Sequence, residues 1–232
     1  MNKKLHPASG IYLALVMLFL YLPIFMLIVL SFNGTNSTSV INGFSFKWYV
    51  ELFRDSATIN ALTNTLVLAV TSAITATVIG TLAAVGIDKM KKGVVKSSVM
   101  TVTNIPMMNP EIVTGVSMML LFVFIGSILG ASGVLGFWTL FIAHVTFSLP
   151  YVILNVLPKL RQTDANLSQA AQDLGCPPIK AFIKVVLPSI LPGVIAGLIM
   201  AFTLSFDDFI ISYFVSGPKF QTLTIRIFSM TK

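Results

Sequence analysis

Charge is scarce in this chain. Of its 232 residues only 10% are Asp, Glu, Lys or Arg, against about 25% in an ordinary soluble domain. Hydrophobic residues make up 56% and the mean hydropathy is +0.91. Such a chain cannot cover its own surface in water, which excludes a soluble enzyme, a disordered segment and a collagen-like repeat. Cysteine is almost absent: Cys176 stands alone, so neither a disulfide framework nor a thiolate zinc site is available. The signatures of catalysis are missing too. There is no glycine-rich phosphate loop closing in Gly-Lys-Ser/Thr, no His-Glu-x-x-His and no credible nucleophile triad. His144 has no second ligand at metal spacing and reads as a packed span residue, while Met107-Met108 and Met118-Met119 read as lipid or core contacts. The formal net charge of +7 is read as loop charge beside a membrane, not as affinity for nucleic acid.

What the chain does have is long uncharged stretches. Ile11–Leu30 carries about twenty apolar residues, enough to cross a bilayer. It lacks the small-residue cleavage site of a signal peptide, so it is read as retained. Further stretches predict an all-α polytopic bundle with spans at about 11–31, 62–87, 97–125, 136–157 and 188–215. The break between the third and fourth falls in Gly126–Gly133. Lys and Arg set the orientation. With a cytoplasmic N-terminus, ten of them fall inside and four outside, Lys232 being left out. Five spans then leave the C-terminus outside, and Gln221–Met230 resembles the lead-in to a further, missing sixth span. In the outer loop Phe32–Thr58, residues 46–54 are spaced as a short amphipathic interfacial helix, with Trp48 and Tyr49 at headgroup level.

The loop 158–187 is the most specific segment. Asp164 can cap a helix, Gly175 can end it in the left-handed conformation, and Pro178 suits the first turn of a second helix. Leu187-Pro188 is expected to close that second helix and open the fifth span. Within this loop Gln169-Ala170-Ala171 is followed after three residues by Gly175, after nine more by Val185, then by Leu187-Pro188. This spacing resembles the EAA loop of binding-protein-dependent ABC importer permeases (the MetI-like type). Gln169 stands where that family has Glu, and Val185 where it has Ile. The resemblance implies that Gln169, Ala170, Ala171, Asp173, Gly175, Leu187 and Pro188 belong to a coupling helix that docks on an ATPase. Four further segments are similar to the PotC-type spermidine/putrescine permeases of that family: Phe44–Tyr49, Met107–Val113, His144–Pro150 and Ala201–Asp208.

Acids inside apolar stretches are the remaining signal. Glu111 lies fourteen residues from each end of Ser97–Ile125, and a carboxylate at mid-membrane costs about 2.5 kcal/mol or more. Pro106 and Pro110 break the helix beside it, which is tolerated where backbone lines a cavity, and Asn104 and Asn109 are expected to cap the break. Asp207 and Asp208 fall near the outer end of the fifth span. No Lys or Arg lies within either stretch, so these acids are expected to have no internal counter-ion. A path lined by Glu111, Asp207, Asp208 and Ser205 would attract cations. Trp48 could bind methylenes and ammonium groups through its face. Other readings of the same residues stand open: Glu111 as a structural acid bonded to a partner helix, Asp207 and Asp208 as a solvated helix end or a stabilising pair, and Trp48 as an interfacial anchor.

The resemblance therefore implies the membrane-spanning permease subunit of an ATP-driven polyamine importer in the bacterial cytoplasmic membrane. Its partners would be a homologous second permease, two ATPase subunits and an extracytoplasmic substrate-binding protein, with the lipid bilayer as solvent and no nucleic acid. The chain itself would hold no cofactor, ATP and Mg being bound by the ATPase partner. The alternatives are the same architecture importing another small solute, such as an iron complex or thiamine, and a secondary transporter working without an ATPase.

Overall fold

The computed structural model describes residues 7–35, 42–91, 93–131, 133–164 and 166–231. The described elements are helices joined by turns, with one isolated antiparallel bridge between Asn33 and Phe44. They form two compact units, residues 1–59 and 60–232.

The first unit holds α1 (Pro7–Ser31) and α2 (Lys47–Arg54). From Ile11 to Val29 the side chains of α1 are apolar with few exceptions, and they are exposed on every face. A helix apolar all round is stable only in lipid or beneath a partner. Directly after it, Phe32 stacks on Phe44 at 5.0 Å and on Tyr49 at 5.3 Å. The Ser31 and Tyr49 hydroxyls meet at 2.8 Å, so α2 is fastened to the end of α1.

In the second unit the helices are α3 (Ser56–Lys89, its first turn lying in the first unit), α4 (Val94–Met108), α5 (Glu111–Ile128), α6 (Phe137–Gln162), α7 (Leu167–Asp173), α8 (Pro178–Ala181), α9 (Leu187–Phe206), α10 (Ile210–Val215) and α11 (Leu223–Met230). Five helices are long and apolar enough to cross a membrane: Gly10–Ser31, Ser56–Lys89, Glu111–Ile128, Phe137–Gln162 and Pro178–Phe206.

Helix α6 is the axis of this unit. Val145, Val152, Ile153, Val156 and Leu157 pack against Ala73, Ala76, Ala84 and Ile87 of α3 and Ile190 and Ala201 of α9. Leu140, Ala143 and Phe147 pack against Leu68 of α3 and Ile211 and Val215 of α10. In lipid, helices gain little from burying apolar surface, so association depends on close fit and small residues. The contacts show this. A Cβ on Gly80 would lie 2.7 Å from a Val152 methyl, and one on Gly193 would lie 2.8 Å from the Asn155 carbonyl oxygen.

Three boundaries differ from the sequence reading. The third stretch, expected as one span over 97–125, is two helices separated at Asn109-Pro110. Glu111 therefore starts α5, at the break expected from Pro110. The fifth, expected to reach Val215, stops at Phe206 and resumes as α10 after Asp207–Phe209. Leu187-Pro188 does not end a helix. Residues Phe182–Val186 form a π-type segment between α8 and α9, and the Leu187 N–H bonds back to the Phe182 carbonyl. Proline at 188 has no N–H to offer the preceding turn, and the wider π turn absorbs the missing bond. Hairpin arm and span are thus one continuous helix, Pro178–Phe206.

Gly193→Val should destabilise the second unit, because the atom it would strike is backbone and cannot swing away. The expected loss is about 1–3 kcal/mol, read as a lower unfolding temperature of the detergent-solubilised protein. Unchanged unfolding would contradict the close α6–α9 packing.

Candidate functional site: an acidic cleft between two broken helices

Pro110 cannot donate to the turn before it, and the residue preceding a proline is driven out of the helical region. Asn109 accordingly ends α4 with ψ 140, Pro110 follows with ψ 136, and Glu111 opens the first turn of α5. Of the two asparagines expected to cap this break, Asn109 stands at it, whereas Asn104 lies inside α4. Pro106 is carried within α4. A carboxylate in the first turn is favoured by the helix dipole.

The second break is capped by its own acid. Asp208 Oδ1 accepts the N–H of Ile211 at 3.2 Å, and Oδ2 accepts that of Ser212 at 2.7 Å. Helix α10 lies on α5, where Gly115 leaves room: a Cβ there would sit 3.5 Å from the Ile210 carbonyl oxygen. The two elbows thereby meet. Glu111, Asp207 and Asp208 line one cleft of about 370 Å³ with Phe147, Thr203, Leu204, Phe209 and Ile210. No Lys or Arg lines it. Glu111 and Asp207 are exposed, whereas Asp208 is 9% exposed.

Ser205 and Asp208 belong to a buried polar chain. Asp208 Oδ2 lies 3.5 Å from Nε2 of His144, so this acid, expected to stand without an internal partner, faces an imidazole. Nδ1 of His144 lies 2.7 Å from Ser205 Oγ, and Ser205 Oγ lies 2.9 Å from Ser72 Oγ. Ser212 Oγ approaches Nε2 at 3.4 Å, and Thr224 donates to the Asp208 carbonyl oxygen at 2.8 Å. The chain joins α3, α6, α9, α10 and α11. His144 is packed, as its sequence context indicated, but it is also bonded. Ser72, Ser212 and Thr224 carried no signal of their own. The available clue was chemical: a histidine in a span almost free of charge needs a polar partner.

Trp48 lies in the first unit. Its indole N–H donates to the Asn33 carbonyl oxygen at 2.7 Å, and Lys47 Nζ stands 5.2 Å from the ring centroid. The polar edge of the ring is thus occupied.

At the other end of α9 stands the hairpin. Helix α7 closes in a Schellman turn: Gly175 has φ +83, its N–H bonds to the Gln172 carbonyl at 2.8 Å, and the Cys176 N–H reaches the Ala171 carbonyl at 3.1 Å. Such a φ is strained for any residue with a Cβ. Asp164 is not the N-cap of α7, which is Asn166. Its Oδ1 instead accepts the Asn166 N–H at 2.9 Å in the turn before the helix. Gln169 and Gln172 line a cleft of about 630 Å³ together with Asp88, Lys89, Arg161 and Asp164. Ala170 and Asp173 are exposed and Ala171 is half-buried, while Leu174 and Ile179 are 90% and 74% exposed. These last two apolar side chains, absent from the sequence pattern, stand out from the hairpin.

Residues 76–231 match the family model described as binding-protein-dependent transport system inner membrane component. The chain is 38% identical over 214 residues to the putrescine transport system permease protein PotI of Escherichia coli, covering 92% of this chain and 76% of that protein. It is also 38% identical over 224 residues to the Escherichia coli spermidine/putrescine transport system permease protein PotC, covering 96% and 82% respectively. A PotC homolog of Mycoplasma genitalium is 29% identical over 232 residues. With an all-helical bundle, five span-length helices and this extent of likeness, the chain belongs to the family of inner membrane components of binding-protein-dependent transport systems.

Proposed function

We propose that this chain is the permease subunit of an ATP-driven polyamine importer, and that the cleft of Glu111, Asp207 and Asp208 is its part of the cation path. The observation that carries the reading is that cleft: carboxylates from two broken helices meet in one cavity with no lining Lys or Arg. A polyamine carries several ammonium groups on a flexible apolar chain. Carboxylates bind the ammoniums, while Phe147, Leu204 and Phe209 suit the methylenes. Ser205 supports the path from behind, through its contacts with His144 and Ser72. The relatives named for putrescine and spermidine/putrescine transport agree with this substrate class.

In this reading the N-terminus is cytoplasmic, as the bias of Lys and Arg requires. The hairpin Asp164–Lys184 is then the handle gripped by an ATPase subunit, with Gln169, Ala170, Ala171, Asp173 and Gly175 forming it and Leu187 and Pro188 joining it to the span. The chain performs no chemistry on its substrate: ATP and Mg belong to two ATPase partners. A second, homologous permease completes the path, and a binding protein delivers substrate on the opposite side. Helix Pro178–Phe206 starts in the hairpin and ends at Asp207. Its length of about 43 Å at 1.5 Å per residue makes it a lever from the handle to the cleft. ATP binding moves the handle and so favours one of two arrangements of the cleft over the other.

Radiolabelled-polyamine uptake by the reconstituted complex tests the path. Glu111→Gln and Asp207→Asn should each lower uptake about tenfold or more, the effect of losing a charge-assisted contact of about 1.5–3 kcal/mol, with the complex still assembled. Unchanged uptake in both variants sinks the cation path. Ala170→Asp tests the handle. Placing an unpaired charge in the docking surface should lower uptake per ATP hydrolysed about tenfold, and normal coupling in this variant refutes the docking assignment.

A further inference from the structure

The contacts around His144 fix the order of its hydrogen bonds on one side of the ring. Ser72 Oγ lies 2.6 Å from the Leu68 carbonyl oxygen and must donate there, since that oxygen carries no hydrogen. With its one proton so placed, Ser72 can only accept from Ser205 across their 2.9 Å contact. Ser205 then has no proton left for the 2.7 Å contact with Nδ1 of His144, so Nδ1 carries a hydrogen. On the far side of the ring, Nε2 faces Asp208 Oδ2 at 3.5 Å. Ser212 Oγ stands 3.4 Å from the same nitrogen, so this edge of the ring faces both the carboxylate and a hydroxyl. Backbone N–H groups of Ile211 and Ser212 already donate to the two carboxylate oxygens. Both partners are buried, His144 at 2% exposure and Asp208 at 9%, where an uncompensated charge is costly.

We propose that His144 is a positioning residue: by pairing with Asp208 it locks the α9–α10 elbow, so that Glu111 and Asp207 alone face the transported cation. Among the described residues neither of those two acids has an ion-pair partner, and both are exposed. The cleft then presents two uncompensated negative charges, a match for two ammonium groups of one cation. This inference rests on the cation-path reading for its substrate, but not for the pairing itself.

The test uses the assembled complex of this permease with its second permease and ATPases in proteoliposomes, with radiolabelled spermidine as probe. Three variants are compared: His144→Gln, Asp208→Asn and the double substitution. His144→Gln strands a buried carboxylate and should lower uptake at least about tenfold. Adding Asp208→Asn removes the stranded charge, so the double variant should transport better than His144→Gln alone and no worse than Asp208→Asn alone. A double variant worse than both singles, with losses that multiply, overturns the proposal and makes Asp208 an independent ligand. The same suppression is read in the amount of complex that stays assembled on heating in detergent, which needs no substrate and covers the case in which His144→Gln does not assemble. Failure of the second substitution to restore assembly there also overturns the pairing. A wild-type complex that does not take up spermidine, while suppression holds in the heating assay, overturns the polyamine reading and supports the pairing.

Discussion

Asp208 is buried in a bundle built for lipid, and its surroundings answer the electrostatic demand this creates. Its two oxygens cap the first N–H groups of α10, an imidazole faces it across 3.5 Å, and its own carbonyl receives the Thr224 hydroxyl. Remove any of these and a polar group is left without water or partner, in a medium that gives it none. The arrangement explains how α9 can stop at Phe206 and the chain resume at Ile210 with the N–H groups of Ile211 and Ser212 bonded. It also explains why α3, α6, α9, α10 and α11 converge at one place.

The break in α9 matters because of what it faces. Helix α5 begins at the other break, and α10 lies against it at Gly115. Neither elbow alone makes a cavity. Together they bring Glu111 beside Asp207, residues almost a hundred positions apart in the chain. One continuous helix ties this cleft to the hairpin: the π turn at Phe182–Val186 lets Pro188 sit within it, so no loop intervenes between α8 and Asp207.

Much of this was legible in the residues. Long uncharged runs dictate helices that cross a bilayer, because only helices satisfy their backbone there. The left-handed stop at Gly175 and the helix start at Pro178 follow from local chemistry and are found as expected. The elbow beside Glu111 was announced by Pro110. Other features were hidden for physical reasons. Asp207 and Asp208 left a helix end as one of several readings, since apolar residues continue on both sides. The break is decided by Asp208 capping α10 and pairing with a histidine on another helix. Leu187-Pro188 looked like a boundary because proline removes a helix bond, and only the π turn before it shows how the helix survives.

By itself, then, the sequence determined the solvent, the helical class, the number of span-length segments and the hairpin with its family spacing, since each depends on composition or on residues within a turn or two of one another. The tertiary structure alone decided which acids are exposed and which is buried against a histidine. Three carboxylates in apolar stretches look alike along the chain. Whether a charge is satisfied depends on what lies within about 4 Å of it, and His144, Ser72 and Ser205 reach the Asp208 elbow only when distant helices pack together.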